Sequence, residues 1–283
     1  QTVESVLLPR EGLCVSTQAG CAVGCVFCMT GRDGLIRQLG SGEIVAQVAL
    51  ARQRRAVRKV VFMGMGEPAH NLDAVLDAIE LLGSAGGIAH KQLVFSTVGD
   101  ARVFERLPQG RVKPALALSL HTTKAELRAQ LLPRAPRFDP AELIEAGERY
   151  ARATGYPIQY QWTLIEGVND GDDEVEALVA LLKGRYAIMN MIPFNAIAGL
   201  GYRRPSDERA GAIIQRLRSF SKAADGDRQC ETIDRLIDEA LSLATLDSTR
   251  RDVRVRRQTP PAPVFVLVGR VQIQQVLLNL IRN

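Results

Sequence analysis

Residues 21–28 read CAVGCVFC, a stretch in which three residues and then two separate the three cysteines. Thiolates at this spacing can each hold one iron of a [4Fe–4S] cube, because cysteine thiolate is the usual ligand of such clusters. The fourth iron stays open and can chelate the amino and carboxylate groups of S-adenosylmethionine (SAM), whose one-electron cleavage yields a radical. We therefore predict that Cys21, Cys25 and Cys28 hold a [4Fe–4S] cluster that binds SAM.

A structural zinc site is the alternative interpretation of these cysteines. Cys14 would then supply a fourth thiolate, since structural zinc prefers a closed site with four ligands. The stretch at residues 64–68, GMGEP, favours the iron–sulfur site because it follows a β-rich run at 60–63. Its glycines let the backbone approach a ligand closely, and Glu67 offers an acceptor for the ammonium group of SAM.

The composition is that of an ordinary globular protein with a mild positive charge. The chain has 283 residues, of which 46% are hydrophobic, and a net charge of +5. This charge favours an anionic partner such as RNA without requiring one. The sequence has neither an apolar run of about 18 residues nor a signal-peptide pattern, so we expect no membrane span. Clustered cysteines without an export signal indicate a reducing compartment, and we expect the cytoplasm.

From residue 57 onward, β-rich runs alternate with helix-compatible segments. The pattern predicts helices over 72–82 and from Pro140 to about Ala153, and strands over 60–63, 93–95, 115–118, 160–165 and 188–192. Such alternation is typical of a parallel sheet or a barrel, in which the chemistry lies at the carboxyl ends of the strands. Polar residues fall at these ends, and their hydroxyl, imidazole and amide groups suit the carboxylate and ribose of SAM.

Together these motifs resemble the radical-SAM adenine-C2 methyltransferases of 23S ribosomal RNA and transfer RNA. The resemblance covers about residues 3–218 and is carried by segments 13–21, 25–28, 64–68, 119–121, 167–170 and 192–195. It implies an α/β fold, a partial (β/α)6 radical-SAM barrel, with Cys21, Cys25 and Cys28 as the cluster ligands. It also implies a SAM site made by Gly66, Glu67, Ser96, Ser119, Leu120, His121 and Asn195.

The resemblance further implies a route for the methyl group. In that family a C-terminal cysteine is methylated first, a radical on that methyl adds to C2 of adenine, and a second cysteine resolves the resulting protein–RNA adduct. Cys14 matches the resolving cysteine. The expected partners are ribosomal or transfer RNA as substrate and an electron donor such as flavodoxin, and we expect a monomer.

The sequence also departs from that family. The family has a helical RNA-binding domain before its barrel, whereas this sequence begins almost at the barrel. The family's methyl-carrying cysteine lies in an Ala-Cys-Gly-Gln or Gly-Cys-Gly-Gln context that this sequence lacks, and Cys230 stands in a different one. Activity would be lost with that carrier. Two alternatives therefore stay open, a radical-SAM enzyme with another substrate and an inactive fusion with a signalling fragment.

From about residue 220 the chain resembles the start of a sensor histidine kinase ATP-binding domain. Segments 236–240 and 271–283 carry this resemblance, and Asn283 matches the asparagine that binds the Mg2+-nucleotide in that family. We predict helices over 232–244 and 271–283 and a strand over 264–268. The expected organisation is a barrel core over 1–219 and a short, incomplete α+β fragment over 220–283.

Overall fold

The computed structural model describes residues 2–195, 199–223, 229–245 and 264–268 of the chain. These residues belong to two units, Gln1–Leu217 and Arg218–Asn283. The predicted boundary after residue 219 lies near the division between the units. Each unit is described by itself below.

The described residues of the first unit form nine strands, of which the alternating pattern predicts the last five. They are β1 (Val6–Leu8), β2 (Gly12–Cys14), β3 (Gln18–Gly20), β4 (Leu35–Gln38), β5 (Lys59–Phe62), β6 (Leu93–Thr97), β7 (Ala115–Ser119), β8 (Ile158–Leu164) and β9 (Ala187–Pro193). One seven-stranded sheet has the order β1-β2-β5-β6-β7-β8-β9, and β3 and β4 form a separate hairpin. β1 runs antiparallel to β2, and every later neighbouring pair in the large sheet is parallel.

Helices follow the parallel strands along the chain. They are α1 (Ser41–Arg52), α2 (Leu72–Gly83), α3 (Ala101–Arg106), α4 (Ala125–Leu131), α5 (Pro140–Thr154), α6 (Asp172–Leu182) and α7 (Asp207–Ala223). The helices predicted over 72–82 and from Pro140 correspond to α2 and α5. The six parallel strands β2, β5, β6, β7, β8 and β9 and their helices confirm the predicted partial (β/α)6 barrel.

Helix α5 illustrates how local sequence sets the ends of these elements. The Asp139 carboxylate accepts a hydrogen bond from the backbone N–H of Ala141, which satisfies one of the free donors of the first turn. Pro140 suits the first helical position, where its missing N–H is not needed. Gly155 ends the helix in the left-handed region at φ +73°, a conformation that glycine adopts without strain.

The two faces of the sheet differ because successive side chains of a strand point to opposite sides. Leu93 and Phe95 of β6 belong to the main core, which also holds the apolar residues of the helices. Val94, between them, belongs to a smaller cluster on the other, inner face. Strand pairing places Cys14, Val61, Val94 and Ala115 side by side in one row on this inner face.

The second unit is described only in part. Strands β10 (Gln229–Thr232) and β11 (Phe265–Val268) pair antiparallel, and helix α8 (Ile233–Thr245) follows β10. Cys230 lies on β10 with an exposed side chain. The predicted helix over 271–283, which carries most of the resemblance to a histidine kinase, lies outside the described residues. Within the described ranges, no helix has the length and apolar character that crossing a membrane requires.

Candidate cofactor site at the carboxyl end of the sheet

The cysteine loop, residues 21–28, lies against the carboxyl ends of the parallel strands. Its apolar residues form a small cluster with Val98, Ile165 and Phe194. These three residues directly follow β6, β8 and β9. Ligands of parallel α/β proteins bind at this edge of the sheet, so the loop lies where the strand pattern predicts chemistry.

The thiols of the cysteine loop lie close enough to affect one another. Burial raises the pKa of Cys25 well above its ordinary value, and the negative charges of Cys28 and Cys21 raise it further. Burial is also the main cause of the raised pKa of Cys21. A cationic cofactor core would reverse both effects, because a nearby positive charge favours the thiolate. The loop therefore suits a positively charged metal centre.

Cys14 lies apart from this group, on the inner face of β2. Burial raises the pKa of its thiol, and a hydrogen bond with the backbone of Met63 lowers it slightly. Among the described residues, no three cysteine, histidine or carboxylate side chains converge as the ligands of a single ion do.

Glu67 is a buried carboxylate in the turn that follows β5. Its Oε1 accepts a hydrogen bond from the N–H of Ala69 at 3.1 Å, and its Oε2 accepts one from the N–H of Val98 at 3.0 Å. Burial raises its pKa to about 7, although a hydrogen bond from Thr97 and those backbone donors lower it. A bound ammonium group would favour the charged form of this carboxylate, as the predicted SAM site requires.

A buried polar segment, residues 16–18, holds this turn in place. The N–H of Met65 donates to Ser16 Oγ at 2.9 Å, and the N–H of Glu67 donates to Gln18 Oε1 at 2.8 Å. Gly66 has a φ of +101°, and a Cβ on it would lie 2.6 Å from the Gln18 side chain. The turn thus requires glycine at this position for both its conformation and its packing.

Gln47 on α1 supports the same segment from the other side. Its Oε1 accepts a hydrogen bond from the N–H of Ser16 at 2.9 Å, and its Nε2 donates to the Ser16 carbonyl at 2.8 Å. Neither Gln18 nor Gln47 was assigned a role from the sequence. Gln18 stands in a segment that matches the family, but nothing local marks Gln47, whose partner is 31 residues away.

Ser96 and Ser119 lie on the inner face at the ends of neighbouring strands. Ser96 is two residues beyond the inner-facing Val94 and pairs with Ala117. Ser119 is two residues beyond Ala117 on β7. Because the side chains of a strand alternate between faces, both hydroxyls share the face that carries Cys14.

Leu120 and His121 continue from β7 into the site in different ways. The Leu120 side chain is fully buried in the main core, so only its backbone remains for a ligand. The His121 Nδ1 accepts a hydrogen bond from the N–H of Thr163 at 2.9 Å. Burial lowers the pKa of His121 to about 3, so the ring is neutral and its proton is assigned to Nε2. The ring contacts Phe27 of the cysteine loop edge-on, with 4.7 Å between the ring centres.

Asn169 fixes the backbone around His121. Its Nδ2 donates to the carbonyl oxygens of His121 at 2.6 Å and Thr163 at 2.8 Å, and its Oδ1 accepts from the N–H of Ile165 at 2.8 Å. These bonds support the left-handed conformation of His121, whose φ is +61°. Asn169 belongs to the 167–170 segment that matches the family, a signal to which sequence reasoning attached no role.

Asn195 lies at the same edge, one residue beyond the buried Phe194. The N–H of Phe194 donates to the carbonyl of Leu164 at 3.0 Å, so β9 stays paired with β8 up to this point. The Asn195 side chain is exposed. The structure thus brings the cysteine loop, Glu67, Ser96, Ser119, His121 and Asn195 to one end of the sheet. It places Cys14 on the inner face of the sheet, on β2.

Comparison with known proteins agrees with this arrangement. A family profile described as the Radical SAM superfamily matches residues 15–182. A "Probable RNA methyltransferase" of Methylibium petroleiphilum is 79% identical over 213 residues, which make up 75% of this chain and 60% of that protein. A Pseudomonas aeruginosa protein of the same description is 71% identical over 219 residues, 77% of this chain and 63% of that protein. The chain thus spans under two thirds of the length of these curated relatives.

A solved structure shows the same fold. The radical SAM methyltransferase from Sphaerobacter thermophilus superimposes with a TM-score of 0.73 and is 38% identical, covering 77% of this chain and 67% of that one. A variant of spore photoproduct lyase is 16% identical with a TM-score of 0.55, covering 79% of this chain and 77% of that one. This second likeness concerns the fold alone.

Proposed function

The chain belongs to the radical SAM superfamily, and we propose that it is a methyltransferase that acts at C2 of adenine in ribosomal or transfer RNA. Cys21, Cys25 and Cys28 would hold a [4Fe–4S] cluster, which with SAM supplies radical chemistry when bound. The observation that carries the proposal is the meeting of the cysteine loop and the buried Glu67 at one edge of the sheet.

Glu67 would bind the ammonium group of SAM. Both of its oxygens are already oriented by backbone N–H groups, so binding requires little rearrangement of the carboxylate. The hydroxyls of Ser96 and Ser119, the backbone at Leu120, the neutral His121 and the exposed Asn195 would bind the carboxylate and ribose. Gly66 would let the backbone approach the cofactor.

Cys14 would act as the resolving cysteine on the substrate side. Its thiol lies on the inner face of the sheet, two residues below Ser16, and burial keeps it protonated by raising its pKa. Cys14 differs from the three proposed cluster ligands in its place in the fold, because it lies on strand β2 and not in the loop at residues 21–28.

RNA as substrate is supported by the net charge of +5 and by the names of the relatives. We also propose an electron donor such as flavodoxin, a monomeric state and the cytoplasm, whose reducing conditions suit clustered thiols. The methyl-carrying cysteine of the family has no counterpart in its usual context. Cys230, exposed on β10 of the second unit, is the candidate to test.

The first experiment is electron paramagnetic resonance (EPR) of the anaerobically reconstituted, reduced protein with and without SAM. We expect a [4Fe–4S]+ signal that changes when SAM is added. Cys25→Ala should lose this signal and Cys14→Ala should keep it. Bound zinc in place of iron, or loss of the metal from Cys14→Ala as well, would contradict the cluster assignment.

The substrate is tested separately. Reconstituted protein, a reductant, labelled SAM and either ribosomal or transfer RNA are incubated, and the digested nucleosides are analysed by mass spectrometry. Label in 2-methyladenosine, lost in Cys230→Ala, would support both the substrate and the carrier. Formation of 5′-deoxyadenosine without methylated RNA would contradict the substrate while leaving the cluster intact.

A further inference from the structure

Arg128 is a buried arginine at the edge of the sheet where the cysteine loop lies. It belongs to the short helix α4, yet its exposed fraction is only 3%. Its Nη2 donates to the carbonyl oxygens of Val98 and of Ser119, the latter at 3.1 Å. These carbonyls lie just after β6 and at the end of β7. The guanidinium group is therefore fixed at the carboxyl ends of two central strands.

The charge of Arg128 has no partner within the part of the chain that the structure describes. No carboxylate there lies within ion-pair distance of it, and its buried Nε has no hydrogen-bond partner. Burial lowers its pKa to about 10, which still leaves it charged at neutral pH. Burying a cation without an anion is costly. That Arg128 is nevertheless buried and charged indicates an anion that lies beside it when the cofactor site is occupied.

The acidic groups that act on Arg128 belong to the proposed cofactor site. Its charge interacts most with Cys25 and then with Glu67. Helix α4 is also joined to the cysteine loop, because the N–H of Val26 donates to the carbonyl of Leu131 at 3.0 Å. The helix that carries the guanidinium and the loop that carries the thiols are thus one hydrogen-bonded assembly.

We infer that Arg128 is the fixed counter-charge of the iron–sulfur cluster, a positioning residue that stabilises the cluster's reduced state. The inference rests on the proposed cluster but not on the proposed RNA substrate. The [4Fe–4S] core is itself positive, but together with its three thiolate ligands it carries a net negative charge, and reduction adds one more. A buried cation nearby therefore stabilises the reduced form more than the oxidised form and raises the reduction potential, for which net charge and hydrogen bonding are known determinants.

The test is an EPR-monitored redox titration of the full chain without SAM. Arg128→Gln keeps a polar N–H group but removes the charge, and we expect its potential to be more negative than that of the wild type. Arg128→Lys keeps the charge and should stay close to the wild type. Arg134, exposed but packed against Gly24 of the cysteine loop, is the matched control. Arg134→Gln should shift the potential less, because water screens its charge.

Three results would overturn the inference. One is an unchanged potential in Arg128→Gln, and another is an equal shift in Arg134→Gln. The third is loss of the cluster from a folded Arg128→Lys as well as from Arg128→Gln, since charge would then not be the property that matters. If Arg128→Gln has an unchanged potential but binds SAM more weakly in the EPR experiment with added SAM, the guanidinium would be assigned to the SAM carboxylate instead. A wild-type protein that assembles no cluster would remove the proposed function itself, which is a distinguishable outcome.

Discussion

The cysteine loop and the turn at residues 64–68 meet at one edge of the sheet, but they are held in different ways. In the turn, both oxygens of the Glu67 carboxylate and the N–H of Glu67 make hydrogen bonds within the protein. The side chain of Gln18 packs against Gly66. The loop is held by a few backbone hydrogen bonds and apolar contacts. Under the proposed function its thiols hold the cluster. One half of the site would then be built by folding, and the other half would be completed by binding.

The largest expected effect concerns the loop. Metal binding stabilises the state that binds it, so cluster assembly should slow amide hydrogen exchange within residues 21–28 by more than about a thousandfold. Exchange within residues 64–68 should change much less, because the turn is already ordered. Mass spectrometry of reconstituted and cluster-free protein measures both regions, and Cys25→Ala serves as the control without a cluster. Equal protection of the two regions would remove the distinction between them.

The turn should be far more sensitive to an added methyl group than Gly34, which lies beyond the cysteine loop and supports it. Gly66→Ala meets a left-handed φ and a Cβ contact of 2.6 Å with Gln18, and we expect a loss of about 2–4 kcal/mol in unfolding free energy. Gly34, whose carbonyl accepts from Cys21, also has a positive φ, but nothing lies within 4 Å of its Cβ position. Gly34→Ala should lose only about 1 kcal/mol from backbone strain. Urea titrations measure both, and similar losses would show that packing behind the turn is unimportant.

Removing the buried partner of the turn should come next in size. Gln18→Leu leaves the buried N–H of Glu67 without an acceptor, which should lower the unfolding free energy by about 1–3 kcal/mol. Gln38, which accepts a hydrogen bond from Gln18, is exposed. In Gln38→Leu water can replace the lost group, so its effect should stay below about 1 kcal/mol. The same urea titrations compare them, and a larger loss in Gln38→Leu would contradict the order.

The smallest expected effect is the pH dependence of the cluster-free protein. Burial raises the folded-state pKa of Glu67 from 4.5 to about 7, so folding favours its protonated form. Its contribution to stability is full below pH 4.5 and is lost as the pH rises through 7. Wild type and Glu67→Gln should therefore be similar at acidic pH. Above pH 7 the wild type should be less stable, by on the order of 1–2 kcal/mol.

The comparison with Glu67→Gln is needed because His121 acts in the opposite direction. Burial lowers the pKa of His121 to about 3, so its contribution is present above its ordinary pKa of 6.5 and is lost as the pH falls below it. Thermal melting of the wild type and of Glu67→Gln is measured at each pH. The contribution of His121 is the same in both proteins, so it cancels in the difference between their stabilities. A difference that grows toward acidic pH would show that Glu67 is charged in the folded, ligand-free protein.

Sequence reasoning could propose those parts of the candidate site that stand beside a local signal. The cysteines are proposed from their spacing, and Glu67 from the strand before it and the glycines beside it. The burial of the Leu120 side chain in the main core was not predicted. Arg128 and Gln18 have no such signal, because their partners Val98 and Glu67 are 30 and 49 residues away. Their roles come from contacts between segments that are distant in the sequence, which local patterns do not specify.

The large sheet has two ends, β1 and β9, that do not pair with each other in the part of the chain the structure describes. On β9, the inner-face residues Ile188 and Ile192 are 53% and 40% exposed. A closed barrel admits only a ligand that fits through its open end. The sheet of the first unit is instead open, and its inner face is accessible from the side. Under the proposed function, a base that is still joined to its neighbours in a long polymer would enter such an open sheet from the side, so the size of an RNA substrate would not limit access to the reacting atom.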